Sequence, residues 1–361
     1  MKKIVSILCA CLALAACDNQ KSDKPVVRIG VTLPLTGALS ETAKAAQASM
    51  NMALKKWKSV DTKYNYEIFF ENDTSEPKQA VLNTQNFINL KKVNAVVSIY
   101  GIVDRSVDDI ANKNQIISLS CSQGKLMVPE YSINNCTQNE QIENILIPKL
   151  KRDGIKTVAL VMPDTAVGHT VGDYFNKRLP THGIDVVAYE KYAMNTRDMR
   201  ASILKMESVA PDYYLTFAIS PLLDVFVRQH REVTGKNNIT SLGTFHEMNP
   251  DMYKFVEDLW TVWITAGTDE FEKKFTETNN MRLKGCTASS YDNIDVLIWA
   301  FENTPVREGQ TIPDNADVIK TIRSLKNYNG AAGILDFSDG VAKPDAQLRM
   351  YHDGKFIRIK D

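Results

Sequence analysis

Residues 26–57 constrain the fold more than any other stretch of the chain. They begin VVRIGVTLPLTGALSETAKAA, in which a β-branched apolar run ends at Pro34 and Gly37. Such a run is typical of a buried strand in a parallel sheet. Apolar residues then recur at spacings of three and four over residues 43–57, which predicts an amphipathic helix. A strand, a loop and a helix in this order indicate an α/β sheet, in which ligands bind at the carboxyl edge of the strands.

Strand-like and helix-like segments alternate along most of the remaining chain. The strand-like segments fall into two series, residues 66–70, 95–99 and 116–119, and then residues 157–162, 185–189, 213–218 and 239–242. Two series of one plan predict two three-layer α/β domains. A length of 361 residues agrees with this number, since a domain contains roughly 150 residues. Residues 330–340 are predicted to be a loop, and residues 347–359 a closing hairpin around Asp353 and Gly354.

The N-terminus has the three-part pattern of a secretory signal. Lys2 and Lys3 precede an apolar run that ends in small residues, which predicts a signal peptide over residues 1–16. The sequence LAAC before Asp18 resembles a bacterial lipobox, which implies lipidation of Cys17 and a polar, lipidated tether over residues 17–25. An aspartate at this position resembles a signal for retention at the inner membrane. The alternative is a plain signal peptide with an incidental cysteine.

The composition favours neither an enzyme nor a nucleic-acid-binding protein. The chain has 43 basic and 43 acidic residues, so no polybasic surface for nucleic acid or membrane is indicated. No metal-ligand spacing is found among the five histidines, His169, His182, His230, His246 and His352. Ser202 and Lys205 match S-x-x-K, but the companion motifs of penicillin-binding enzymes are missing. We expect no catalytic residue, no metal and no cofactor.

Three cysteines remain in the predicted folded body, Cys121, Cys136 and Cys286. In an oxidising compartment a disulfide between Cys121 and Cys136 would close a short loop and leave Cys286 as a free thiol. The alternative, two buried free thiols at positions 121 and 136, stays open.

Four segments together resemble a known family. They are VVRIGVTLPLTGALSETAKAAQASMNMAL, ENDTSEPKQAVLNTQNFI, SYDNIDVLIWAFE and GAAGILDFSDG. Their sequence and order resemble those of periplasmic leucine/isoleucine/valine-binding proteins, and more widely the type I solute-binding proteins of ABC importers. The likeness covers nearly all of residues 26–359.

The resemblance implies an α/β protein of two doubly wound three-layer lobes, joined by three crossings that act as a hinge. Lobe 1 would comprise residues 26–141 and 268–331, and lobe 2 residues 142–267 and 332–361. The crossings are expected near residues 140–143, 266–268 and 330–333. The ligand would be held in the cleft between the lobes of a monomer.

Carried over segment by segment, the resemblance also implies a set of ligand-binding residues. Those of lobe 1 are Thr36, Ser40, Glu41, Tyr100, Gly101, Ser120, Cys121 and Ser122, with Cys286 at the start of a helix that faces the cleft. Those of lobe 2 are Val167, Ile219, Phe245 and Glu247. Helix N-termini and loop amides in such a cleft would favour a carboxylate guest, and helix capping is the alternative role of the two serines at positions 120 and 122.

The sequence departs from the family pattern inside this set. Branched-chain binders place aromatic residues where Val167, Ile219 and Cys286 align, an acidic residue where Phe245 aligns, and often a serine where Gly101 aligns. An ammonium group without a buried carboxylate partner would be uncompensated. Glu247 or Glu41 could supply the missing charge, and the alternative for both is a solvated surface glutamate.

The resulting hypothesis is a substrate-binding lipoprotein of an ABC importer. It would capture a small amino acid-like, amide or carboxylate ligand by hinge closure and deliver it to a permease in the inner membrane. The alternative is a ligand sensor or a partner of an envelope protein with the same fold, because a fold does not determine a function.

Overall fold

A computed structural model describes residues 24–124, 127–264 and 267–359. The signal peptide, Cys17 and nearly all of the tether lie outside these residues. The strands are β1 (Val26–Leu33), β2 (Asn65–Asn72), β3 (Ala95–Ile99), β4 (Ile117–Cys121), β5 (Ser132–Asn135), β6 (Thr157–Pro163), β7 (Asp185–Tyr192), β8 (Tyr213–Thr216), β9 (Ile239–Ser241), β10 (Trp260–Trp263), β11 (Tyr328–Gly330), β12 (Gly333–Leu335), β13 (Val341–Ala342), β14 (Gln347–His352) and β15 (Lys355–Arg358).

The α-helices are α1 (Ser40–Lys58), α2 (Pro77–Asn86), α3 (Gly101–Lys113), α4 (Asn139–Arg152), α5 (Ala166–Thr181), α6 (Arg200–Glu207), α7 (Leu222–Thr234), α8 (Asp269–Asn279), α9 (Thr287–Asn303) and α10 (Asn315–Arg323). A π-helical turn (Phe87–Lys91) follows α2, and 3₁₀ turns cover Phe245–Glu247 and Pro250–Phe255.

Lobe 1 is built on a six-stranded parallel sheet in the order β13-β5-β4-β3-β1-β2. The strand β1 has neighbours on both sides and is buried, as its β-branched sequence predicts. Gly30 in this strand is needed for close packing, because an added Cβ would lie 2.4 Å from Cγ of Phe87. The helices α1 and α9 pack against each other beside this sheet.

Lobe 2 contains a four-stranded parallel sheet in the order β7-β6-β8-β9. A second sheet, β10-β14-β15, is antiparallel and includes the hairpin predicted around Asp353 and Gly354. Two separate groups of buried apolar side chains belong to lobe 2. The prediction of two α/β lobes is therefore confirmed.

The chain changes lobes three times, as the membership of the cores shows. Core membership passes from lobe 1 to lobe 2 between Cys136 and Ile142, and returns to lobe 1 between Ile264 and Phe271. The last change lies between Ala342 and Ala346.

The predicted third boundary at residue 331 is wrong. Leu335 and Phe337 are buried in the core of lobe 1, and β13 adds a parallel strand to β5. Residues 330–340 are likewise not a plain loop, since β11 and β12 pair as an antiparallel hairpin. The strands β11, β12 and β13 have only two or three residues each, and glycines lie within and between them, so the sequence shows no strand pattern here.

Candidate functional site

A cavity of about 430 Å³ lies between the lobes. Residues at the carboxyl ends of parallel strands line it, with Tyr100 after β3 and Cys121 at the end of β4 in lobe 1. Pro163 at the end of β6 and Phe217 after β8 face them from lobe 2. Both the volume and the location are typical of a small-molecule site in an α/β protein.

The structure brings seven of the predicted site residues to this cavity. They are Tyr100, Gly101, Cys121, Val167, Ile219, Glu247 and Cys286. Because they come from both lobes and from segments far apart in sequence, the cavity depends on the arrangement of the two lobes.

The other six predicted residues do not line the cavity. Thr36 and Glu41 are exposed, and Glu41 pairs with Lys44. Ser40 is half-buried at the start of α1. The first loop therefore contributes Leu39 to the cavity instead of the polar residues that surround it.

Ser120, Ser122 and Phe245 are buried and do not line the cavity. The hydroxyl of Ser120 donates to Oδ1 of Asn134 at 3.2 Å, and the backbone N–H of Ser122 donates to the same oxygen at 2.9 Å. Phe245 is fully buried in a core of lobe 2. Contacts within the lobes therefore engage the side chains of Ser120 and Phe245, whereas only the backbone of Ser122 is engaged and its binding role stays a prediction.

The wall from lobe 2 is largely apolar. Its apolar side chains are Val167, Met194, Phe217, Ile219 and Ile264. The wall from lobe 1 is mixed, because the aromatic ring of Tyr100 and a disulfide lie beside the amide of Gln123. Glu247 is the one acidic residue among the described residues that line the cavity, and no lysine or arginine lines it there.

Glu247 belongs to lobe 2, but its carboxylate reaches lobe 1. The backbone N–H of Gly285 donates to Oε1 at 2.9 Å, and the hydroxyl of Tyr100 donates to the same atom at 3.3 Å. The hydroxyl of Thr42 donates to Oε2. Nε2 of His246 lies 3.1 Å from Oε1. The side chain of Glu247 is only 6% exposed, so this carboxylate is bound by the protein itself.

The surroundings of Glu247 keep it ionised. Burial acts to raise its pKa, but His246, Lys284 and Thr42 together lower the pKa to about 2. Lys284 also donates from Nζ to the backbone oxygen of His246 at 2.6 Å. Burial and the adjacent Glu247 raise the pKa of Tyr100 well above its usual value, so its phenol remains a hydrogen-bond donor.

Two glycines allow the lobes to approach each other. A Cβ at Gly101 would lie 2.9 Å from Oγ of Ser122 and 3.1 Å from Cγ2 of Val167 across the cleft. A Cβ at Gly285 would lie 2.7 Å from Oε1 of Glu247. A larger residue at position 101 would crowd Ser122 in lobe 1 and Val167 in lobe 2, and one at position 285 would crowd the carboxylate of Glu247.

The cysteine pairing differs from the prediction. Cys121 is bonded to Cys286, with their Cα atoms 5.9 Å apart, and Cys136 is the buried free thiol. Burial, with a smaller effect of Asp104, raises the pKa of Cys136. The predicted pairing of Cys121 with Cys136 is wrong because a short separation in sequence does not imply a short distance in space. The fold places the start of α9 beside the end of β4, although 165 residues separate the two bonded cysteines.

Several lining residues were not predicted individually. Gln123 and His246 belong to loops at carboxyl ends of strands, which is the signal that could have identified them. Met194 follows the edge strand β7 and has the same signal. Gly285 had none, and neither had Thr42, which does not line the cavity, because the role of both residues depends on the position of Glu247 in the other lobe.

Possible metal ligands occur away from the cavity lining. Glu257, Asp258 and His352 form the one such group among the described residues, and they are half-buried to exposed where the segment before β10 meets the C-terminal hairpin. The S-x-x-K serine, Ser202, lies in α6, and its Lys205 pairs with Glu190 at the surface. Neither feature belongs to the cleft.

Comparisons with known proteins agree with the two-lobed architecture. A family model described as periplasmic binding protein matches residues 26–360. A Leu/Ile/Val-binding protein homologue from Brucella melitensis is 21% identical over 239 residues, which cover 61% of this chain and 59% of that protein. The match thus spans less than two thirds of the curated relative.

Solved structures show the same fold. A leucine-binding protein from Thermotoga maritima has a TM-score of 0.80 at 20% identity, with 92% of this chain and 98% of that chain covered. A branched-chain amino acid-binding protein from Streptococcus pneumoniae, in complex with isoleucine, has a TM-score of 0.78 at 16% identity, with 93% and 100% covered. A solute-binding protein from Rhodopseudomonas palustris, in complex with 3,4-dihydroxybenzoic acid, has a TM-score of 0.77 at 18% identity, with 92% and 96% covered. Within the described residues, no helix has the length and apolar character to cross a membrane.

Proposed function

Because the chain belongs to the periplasmic binding protein family, whose members are solute-binding transport proteins and not enzymes, we propose that it is the substrate-binding component of an ABC importer. It captures a small amino acid-like, amide or carboxylate ligand between its lobes and delivers that ligand to a permease in the inner membrane. The observation that carries this proposal is the 430 Å³ cavity with walls from both lobes.

The chemistry of the cavity supports a small guest with an apolar body. Val167, Phe217 and Ile219 present apolar surface from lobe 2, and burial of a guest against them contributes about 25 cal/mol per Å² of apolar surface. Two proteins of the same fold have been solved in complex with isoleucine and with 3,4-dihydroxybenzoic acid, which are likewise small molecules. Such a guest contacts both lobes only when they are closed, so binding favours closure.

The location and attachment of the protein are part of the same proposal. Residues 1–16 direct export, and Cys17 carries lipid that holds a monomeric two-lobed body at the periplasmic face of the inner membrane. Residues 17–25 connect the lipid anchor to this body. Mass spectrometry of the mature protein tests this step, because lipidation adds the mass of acyl chains to a peptide that starts at Cys17.

The binding proposal is tested by native mass spectrometry of the purified protein, followed by thermal shift with amino acids, amides and carboxylates. A guest at a hundredfold excess over its Kd stabilises the folded protein by about 2.7 kcal/mol. Val167→Trp should fill part of the cavity and weaken binding at least tenfold, whereas Val209→Trp, at an exposed valine, should not.

Two results would contradict the proposal. One is the absence of binding by every member of the three compound classes, and the other is equal binding by the two tryptophan variants. Recovery of an envelope protein in place of any small molecule would instead favour the sensor or partner function.

A further inference from the structure

The carboxylate of Glu247 lies where three helices of lobe 1 begin. Thr42 is in the first turn of α1, Tyr100 is the N-cap of α3, and Gly285 directly precedes the N-cap of α9. Each of the three donates to the carboxylate. Helix N-termini carry positive partial charge and free N–H groups, so this point of lobe 1 favours an anion.

An anion from the chain itself occupies that point. Both oxygens of Glu247 accept hydrogen bonds, and Oε1 has Gly285, Tyr100 and His246 around it. The carboxylate is therefore satisfied before any guest enters. An ammonium group would have to displace protein donors from it, and a guest carboxylate beside it would meet a like charge.

Two polar side chains of the cavity have atoms without a hydrogen-bond partner in the part of the chain that the structure describes. Gln123 is 8% exposed and its Oε1 has no hydrogen-bond partner among the described residues. His246 is 2% exposed, stacks on Trp263 with ring centroids 4.5 Å apart, and its Nδ1 is likewise unpartnered in the described part of the chain. Both residues line the cavity, one from each lobe. A buried amide and an imidazole pair well with a neutral amide or hydroxyl group.

We propose that Glu247 is an interlobe latch rather than a ligand for a guest's ammonium, and that the cavity takes an apolar guest with a neutral amide or hydroxyl group. This inference rests on the proposed function. Among the guests named there, it selects compounds without a charged group. In the free protein the latch holds the lobes together by contacts that do not need a guest.

The latch is tested first without any guest, by small-angle scattering of the mature protein. Glu247→Gln keeps the size of the side chain and removes its charge, and Gly285→Ala leaves the charge but places a methyl group against Oε1. Both variants should increase the radius of gyration by about 1 Å over the roughly 20 Å of a compact chain of this length. Glu277→Gln, the same change at an exposed residue of α8, should not. An unchanged radius in both latch variants would overturn the latch.

The guest class is tested by calorimetric titration with four compounds of one carbon skeleton, namely isocaproamide, isocaproate, leucine and leucinamide. They differ only in the ammonium group and in the charge of the carboxyl group. Isocaproamide should bind at least tenfold more tightly than each of the other three. Tightest binding by leucine, lost at least tenfold in Glu247→Gln, would overturn the inference and leave the proposed function intact.

Failure of the proposed function gives a different result. If none of the four compounds binds, and no amino acid, amide or carboxylate in the wider panel does, the protein is not a solute-binding component for this guest range. The guest class then falls with it, whereas scattering of the guest-free variants still decides whether Glu247 joins the lobes.

Discussion

Glu247 and Asp292 are both carboxylates with buried side chains, and the structure shifts their pKa values in opposite directions. Asp292, in the middle of α9, accepts from the backbone N–H groups of Ala331 at 2.6 Å and Ala332 at 2.8 Å. Burial, with a smaller effect of Asp295, raises the pKa of Asp292 to about 7. Glu247 has at least as many donors, yet its pKa is lowered to about 2.

The difference lies in nearby charge and in the location of each group. Glu247 has His246 and Lys284 beside it, whereas Asp292 lies near another carboxylate, with Lys56 as a weaker opposing influence. Asp292 is also enclosed within lobe 1, so its donors lose their acceptor if it is removed. Glu247 lies between the lobes, where opening would admit water. Asp292 is therefore expected to affect mainly the free energy of unfolding, and Glu247 mainly the equilibrium between open and closed lobes.

The largest expected effect is the pH dependence due to Asp292. Its folded pKa lies above the unfolded value of 3.8, so its contribution to stability is complete below about pH 4 and is lost as the pH rises through about 7. The loss amounts to about 4 kcal/mol for this shift. Chemical denaturation of Asp292→Asn should show a destabilisation that shrinks as the pH rises, because asparagine does not ionise.

The control for this measurement is Asp345→Asn, at an exposed residue for which the expected change is below about 0.5 kcal/mol at every pH. A constant difference between wild type and Asp292→Asn from pH 4 to pH 8 would contradict the raised pKa.

The contribution of Glu247 to stability should change with pH in the opposite direction and by a smaller amount. Its folded pKa lies below the unfolded value of 4.5, so its contribution is present above about pH 4.5 and is lost as the pH falls toward 2. The expected loss is at most about 3 kcal/mol, because the lobes can open before they unfold. The destabilisation in Glu247→Gln should therefore be largest near pH 7 and small near pH 2.5, measured by thermal unfolding.

If the destabilisation in Glu247→Gln and in Asp292→Asn changed with pH in the same direction, the distinction between the two carboxylates would be contradicted. Glu277→Gln again serves as the exposed control.

His230 is a third buried titratable group, and it tests whether nearby charge decides the direction of a pKa shift. His230 in α7 is fully buried among Tyr214 and Phe226, and burial lowers its pKa to about 4 against a weaker opposing effect of Glu207. A neutral folded histidine destabilises the protein as the pH falls from about 6.5 to 4, here by about 3 kcal/mol. His230→Leu should abolish this part of the acid dependence, and an unchanged profile would show that the imidazole titrates normally.

The smallest expected effect is that of one donor to the latch. Thr42→Val removes the hydroxyl that donates to Glu247 but keeps the shape of the side chain. The loss of one such hydrogen bond, about 1 kcal/mol, should shift the closing equilibrium about fivefold toward the open form and lower the free energy of unfolding by at most the same amount. Scattering at several temperatures measures this shift, and Thr181→Val is the exposed control.

The sequence predicted most of what local pattern determines. The first strand, loop and helix, the two series of strands and the cavity positions of Val167 and Ile219 follow from periodicity and from the resemblance. The pairing of Cys121 with Cys286 could not follow, because sequence separation does not report distance in space. The short strand β13 has too few residues to give a pattern.

Glu247 marks the limit of sequence reasoning at the site. The sequence indicated a glutamate near the expected acidic position, but its role depends on Thr42 and Gly285 in the other lobe. Such a contact is set by how the lobes meet, and no periodicity reports it.

The most direct test of the latch is the distance between the lobes in guest-free protein, measured by pulsed electron spin resonance. Spin labels attached through Glu71→Cys and Asn195→Cys lie at exposed positions near the carboxyl ends of the edge strands β2 and β7, one on each rim of the cleft. Wild-type protein so labelled should give one narrow, short distance, and addition of Glu247→Gln should lengthen and broaden it. A long, broad distance in the protein with Glu247 intact, or no change upon its replacement, would contradict the account.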